Sequence, residues 1–180
     1  MRLTLSHLVA IVFTLLALAA CKDDAPSVTI YTSVDRSFSE PILQMFEVQT
    51  GIRVEALYDV EAAKTTGLVN RLIAEANRPR ADVFWNGELV QTQHLAVLGI
   101  LSPYATTAAD TAQQPPDRMW TSFGGRARVL IVNTDLQAVG NRPTGLADFM
   151  SDRWQSNRLA ISPPLFGTSA SHAASLCMSY

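Results

Sequence analysis

Two hydrophobic rhythms alternate along most of this chain. Val28-Thr29-Ile30-Tyr31 is a short run of β-branched and aromatic residues and predicts a strand. A helix is expected from Ser37 or Ser39, either of which suits an N-cap, to Thr50, with Pro41 tolerated in its first turn and Gly51 ending it. Ile42, Leu43, Met45 and Phe46 define the side of that helix expected to be buried. Apolar and polar residues then alternate from Ile52 to Tyr58, a second strand. Leu68, Val69, Leu72 and Ile73 recur at helical spacing in a segment that starts at Thr65 or Thr66, runs to Glu75 and is broken by Asn77-Arg78-Pro79. Ala81–Trp85 reads as a third strand and Glu88–Leu98 as a third helix, closed by Gly99. Strand–helix steps in this order argue for an α/β fold with a parallel sheet and helices on its faces.

The rhythm changes further on. Ala105–Asp117 is a polar loop ending in prolines, and Arg128–Asn133, RVLIVN, is an apolar β-branched strand. From about Pro143 a second module is expected, with a short helix at Leu146–Met150, a strand at Leu159–Ser162 and a helix from about Thr168. It has hardly begun at Tyr180.

The N-terminus stands apart. Residues 1–20 have one Arg, one His and no acid, then an apolar run from Leu8 to Ala20. That run is too short for a permanent membrane span and fits the apolar stretch of a signal peptide. It ends Leu18-Ala19-Ala20-Cys21, which resembles the lipobox of bacterial lipoproteins, in which the Cys becomes the lipidated N-terminal residue. Several acyl chains there would give stable anchoring, each buried CH₂ adding roughly 0.8 kcal/mol. Residues 21–27 would then be a lipidated Cys and a polar tether, placing the protein on the periplasmic or extracellular face of a membrane.

Composition narrows the function. The chain has 180 residues, 48% of them hydrophobic, which is ample for a packed core. With 14 Lys+Arg against 16 Asp+Glu its formal net charge is −2, and no basic patch argues for nucleic acid. Cys177 is the only cysteine besides Cys21, so the mature chain has no intrachain disulfide to make. Catalysis finds no support: Gly167–Ser171 is not a GxSxG elbow, and neither HExxH nor CxxC occurs. A lone helical His94 is more often structural than a metal ligand.

A series of segments carries a resemblance. YTSVD at Tyr31–Asp35, TGIRV at Thr50–Val54, ADVFW at Ala81–Trp85 and LGILSPY at Leu98–Tyr104 are followed by GGRARVLIVN at Gly124–Asn133, RPTGLADF at Arg142–Phe149 and ISPPLFGT at Ile161–Thr168. In this order they resemble the ferric-ion-binding type of solute-binding proteins of bacterial ABC importers. The resemblance implies a type II periplasmic-binding-protein-like fold of two α/β lobes and a hinge. Residues 28–133 would form the first lobe, incomplete here, and 134–180 the crossover and start of a truncated second lobe. It also implies Fe(III) or a ferric complex as ligand, a synergistic anion, and an ABC permease in the inner membrane as partner. The family's adjacent tyrosine pair is absent. A chain with one wall of such a clamp is expected to hold iron weakly, and a non-functional fragment is one alternative. Another is a solute-binding protein for a phosphonate or other organic ligand.

Ligands of open parallel sheets bind beyond the carboxyl ends of the strands. Asp35, Glu61 and Glu88 all follow expected strands and offer hard oxygens for a hard cation. Asp35 stands where the family often has a His, and Glu88 one residue from the family's usual Glu. Each has a plainer reading: Asp35 as a turn or cap, Glu61 as a solvated loop acid, Glu88 as a favourable charge at a helix N-terminus. Tyr31 and Tyr58 read as half-buried strand residues, and Trp85 and Trp120 as core or cleft wall. The resemblance puts Arg126 near the cleft, where a guanidinium suits carbonate or phosphate. Gly167 and Thr168 open a helix whose free N–H groups suit an anion, or are simply capped by Thr168 or Ser169.

Overall fold

The structure, a computed structural model, describes residues 25–59, 65–107, 114–154, 158–165 and 167–179. The leader, Cys21, the first half of the tether and Glu61 lie outside the described residues. Those described fall into two compact units, one ending at Asp59 and including Pro79–Trp85, the other made of Val60–Arg78 and the chain from Asn86 onward.

The first unit is a parallel sheet with a helix. Strand β1 is Ser27–Thr32, helix α1 Arg36–Thr50, strand β2 Arg53–Tyr58 and strand β3 Val83–Trp85. Their order is β2-β1-β3, with Ile30 opposite Ala56 on one side and Val83 on the other. Ile30, Tyr31 and Thr32 are consecutive and all buried, as expected of a central parallel strand covered on both faces. β3 is shorter than the strand expected over residues 81–85. The Asp82 carboxylate accepts the Thr29 N–H at 2.8 Å, so a side chain occupies a ladder position there. The Glu47 carboxylate accepts the Val54 N–H at 2.6 Å and ties α1 to the start of β2.

Helix α1 differs from expectation at its start. Its N-cap is Asp35, and neither Ser37 nor Ser39 caps it. Ser39 is buried inside the helix and donates back to the Asp35 and Val34 carbonyls. Pro41 consequently sits in the second turn. Gly51 ends the helix at φ 69, a left-handed position that favours glycine. Of the four residues expected to be buried, only Leu43 is; Ile42, Met45 and Phe46 remain exposed.

The second unit contains helix α2, Thr66–Ala74, helix α3, Leu89–Val97, and helix α4, Gly167–Ser179. Its core is Leu68, Val69 and Leu72 of α2 with Leu95 of α3, the last fully buried. Ile73, expected on the same stripe, lies at its edge and is exposed. Gly99, at φ 70, follows α3 as expected, and the Ile100 N–H returns to the Leu95 carbonyl.

Two expected strands do not form. Arg128–Asn133 and the described residues of Leu159–Ser162 lie outside any strand, because no neighbouring segment pairs with them among the described residues. Leu146–Met150, expected as a short helix, is a 3₁₀ helix, as is Val139–Asn141.

Candidate functional site

In the first unit the carboxyl ends of neighbouring strands are tied by backbone hydrogen bonds. The Asp59 N–H donates to the Thr32 carbonyl at 3.0 Å, and the Ser33 N–H to the Trp85 carbonyl at 3.1 Å. Asp35 stands just beyond β1 on this edge. Its carbonyl accepts from the Phe38 and Ser39 amides, while its side chain makes no capping bond to α1. The helix is thus started by Asp35's backbone, leaving its carboxylate out of the cap.

Arg36 follows, bonded to Glu40 at 2.6 Å and lying 5.1 Å from the centre of the Tyr58 ring. The hydrogen bond from Arg36 holds the Glu40 carboxyl below its usual range. Burial, reinforced by the Glu40 charge, pushes the Tyr58 hydroxyl up and keeps it a phenol. Tyr31 is fully interior, and Tyr58 and Trp85 are half-buried, in keeping with structural roles for all three.

The second unit holds a denser polar cluster, centred on Glu88. This residue is 6% exposed and is the N-cap of α3. One carboxylate oxygen accepts the Val90 N–H at 2.9 Å and the Ser171 hydroxyl at 2.5 Å; the other accepts the Gln91 N–H at 2.7 Å. These are amides that a helix leaves unsatisfied at its start. The Glu88 carbonyl accepts from the Asn86 side-chain amide and the Thr92 hydroxyl. Asn86 in turn accepts from the Thr65 hydroxyl at 3.3 Å. Thr65 is buried with φ 72, a rare conformation for a β-branched residue.

Ser171 belongs to α4 and also donates to the Gly167 carbonyl at 3.2 Å. Its bond to Glu88 therefore brings the first turns of α4 to the N-terminus of α3. Gly167, at φ 53, opens α4, and Arg128 donates to the Thr168 carbonyl at 3.0 Å. The Arg126 guanidinium packs over Gly87, 3.9 Å from where a Cβ would stand.

Glu88, Arg126, Gly167 and Thr168 thus lie in one unit, with Glu88 joined to α4 directly. Asp35 lies in the other unit. Ser171 and Arg128 were not singled out by sequence, where a serine inside a helix and an arginine entering a strand carry no signal. No group of three or more His, Cys, Asp or Glu able to hold a metal occurs among the described residues. His94 is exposed on α3. A cavity of about 510 Å³ elsewhere in the second unit is lined by Leu136, Gln137, Asn141, Arg153, Trp154 and Arg158, and contains none of the expected site residues.

A parallel sheet with α-helical connections, and polar groups beyond its strand ends, is the arrangement seen in α/β ligand-binding proteins. Within that class, the chain is 24% identical over 152 residues to the major ferric iron-binding protein of Neisseria meningitidis, a match covering 82% of this chain and 44% of the relative. The similarity relates this chain, at low identity, to the ferric iron-binding proteins, and the chain spans less than half the length of the curated relatives it matches. No protein-family model matches the chain. Among solved structures, Mannheimia haemolytica ferric iron-binding protein A in an open conformation aligns with TM-score 0.45 and 21% identity, over 52% of this chain and 29% of that one. A periplasmic binding protein of Actinobacillus pleuropneumoniae, with fructose-6-phosphate bound, aligns with TM-score 0.44 and 23% identity, over 49% and 26%.

Proposed function

We propose that this chain is a solute-binding protein, or a portion of one, that carries Fe(III) or a small ferric complex to an ABC permease. The observation that carries this reading is the 152-residue similarity to the major ferric iron-binding protein. Asp35 and Glu61 are put forward as oxygen ligands to the ferric cargo, since carboxylates suit a hard cation. Glu88 as a ligand would have to give up part of its helix cap, so its replacement is expected to cost stability as well as iron. Arg126, with Gly167 and Thr168 at the start of α4, is put forward for a synergistic anion such as carbonate or phosphate.

The full chain in mild detergent, titrated with ferric citrate and read at equilibrium so that weak binding registers, provides the test. Iron affinity is expected to fall about tenfold or more for Asp35→Ala and for Glu61→Ala, corresponding to loss of one direct ligand. Arg126→Ala is expected to matter chiefly when carbonate or phosphate is present as a synergistic anion. Iron affinity unchanged in all three variants would remove these residues from the reading. The Arg126 guanidinium over Gly87 and the Arg128 guanidinium at Thr168 favour a second reading, an organic anion such as a phosphonate. That reading takes precedence if a phosphonate raises the melting temperature in the absence of iron and ferric citrate does not.

The Leu18-Ala19-Ala20-Cys21 run supports lipid attachment at Cys21 and a membrane-tethered place on the periplasmic or extracellular face. No helix among the described residues is long and apolar enough to cross a membrane. Cys21→Ala is expected to abolish incorporation of labelled palmitate and release the chain from membranes; persistent labelling would refute the assignment.

A further inference from the structure

The open cavity of about 510 Å³ in the second unit has a lining that falls entirely between Leu136 and Arg158. Bonds within this stretch and at its start set the walls. The Leu136 and Gln137 amides donate to the Asn133 carbonyl, the Asn141 amide to Ala138 and the Trp154 amide to Ser151. Arg153 reaches back to the Asn141 and Arg142 carbonyls, at 3.4 Å each, and lies over the Trp154 ring, 4.7 Å from its centre. Charge around the cavity is unbalanced. Arg153 and Arg158 line it, Arg142 adjoins it, and none of the three makes an ion pair among the described residues. The Thr144 amide and hydroxyl hold the Asp148 carboxylate, at 2.6 and 2.9 Å, and keep it below the usual carboxylate range, ahead of any effect of Arg153. The Trp154 indole N–H and the Arg142 Nε–H are buried with no acceptor among the described residues, a state in which buried donors are rarely left. Cations and donors therefore outnumber anions and acceptors here.

We propose that this cavity binds a small organic acid carrying two or more carboxylates. A guanidinium presents a planar fork that matches one carboxylate, and the forks of Arg153 and Arg158 favour two carboxylates on one molecule. Gln137 and Asn141 add side-chain amides for hydroxyl or further carboxylate oxygens. Leu136 and Trp154 offer contact to the carbon skeleton between the charged ends, which inorganic phosphate and sulfate lack. A volume of this order is usual for a small-molecule site. The inference does not rest on iron as the cargo, and it uses none of the residues put forward for the ferric site.

Isothermal titration of the full chain in non-ionic detergent, freed of iron, with propane-1,2,3-tricarboxylate tests it. Saturable binding is expected, with inorganic phosphate and sulfate at least about tenfold weaker. Arg158 makes no hydrogen bond or ion pair among the described residues, so Arg158→Ala leaves the fold intact, as far-UV circular dichroism of the variant would verify. It is expected to weaken tricarboxylate binding by about tenfold or more, the loss of one guanidinium–carboxylate contact. Arg153→Ala is expected to weaken binding at least as much, since it removes the other fork and loosens the wall at Asn141 and Arg142. No saturable binding, equal affinity for inorganic phosphate, or tricarboxylate affinity unchanged in both variants would each overturn the proposal. So would loss of binding in Arg126→Ala with Arg158→Ala unaffected, which would move the anion to Arg126 instead.

Discussion

At the scale of single residues, the informative group is Glu88. A carboxylate just after a strand is equally a candidate metal ligand and a helix cap, and sequence cannot separate the two. Here the side chain is buried and its oxygens accept the Val90 and Gln91 amides and the Ser171 hydroxyl. Three donors to a buried carboxylate make removal costly, because the amides would be left without acceptors. Glu88→Ala is therefore expected to destabilise the chain by about 2 kcal/mol, at the upper end for loss of a cap. Ser171→Ala is expected to cost about 1.5 kcal/mol, the lower end for one hydrogen bond to a carboxylate. Denaturant unfolding of the two single variants and the double variant checks this. The double-variant loss should be smaller than the sum, since Ser171 has lost its main acceptor once Glu88 is gone. Strict additivity would show that Ser171 stabilises α4 through Gly167 alone. Asp35 presents the reverse case: it stands at a helix N-cap, but its backbone rather than its carboxylate does the capping.

At the scale of elements, legibility follows how local each determinant is. The period-two and period-3.6 patterns place β1, β2, α1, α2 and α3 within a residue or two, and Gly51 and Gly99 mark two helix ends because both adopt positive φ. Starts were harder. A serine hydroxyl is the usual cap, but α1 is capped at Asp35, two residues before Ser37 and just past β1, and Ser39 is drawn inside and buried. The apolar stripe of α1 overstated its burial, since periodicity identifies a face but not how much of it finds a neighbour. Arg128–Asn133 failed for the corresponding reason in strands. β-propensity reports fitness for a pleated surface, and a strand exists only if another strand pairs with it. The candidate site was legible in part. Residues following strands could be nominated from sequence because open parallel sheets place them at one edge. Ser171 could not, because its contact with Glu88 spans 83 positions and depends on tertiary packing.

At the scale of the whole chain, stability should be distributed unevenly. Among the described residues from 114 onward none is buried, whereas β1, α1, α2 and α3 contribute every buried apolar side chain. Local opening costs little where few apolar contacts are lost and backbone hydrogen bonds already face water. Amide hydrogen exchange should therefore divide along the sequence. Slow exchange is expected for Ile30, Tyr31 and Thr32, which pair on both sides within the sheet, and for the buried turns of α2 and α3. Residues 124–132 should exchange at close to the unprotected rate in dilute solution, having no backbone acceptors of their own. α4 should lie between, its helical bonds intact but its core contacts few. Protection of residues 124–132 already present in dilute solution would mean that this segment is paired within one chain. The strand signal of RVLIVN would then be satisfied internally.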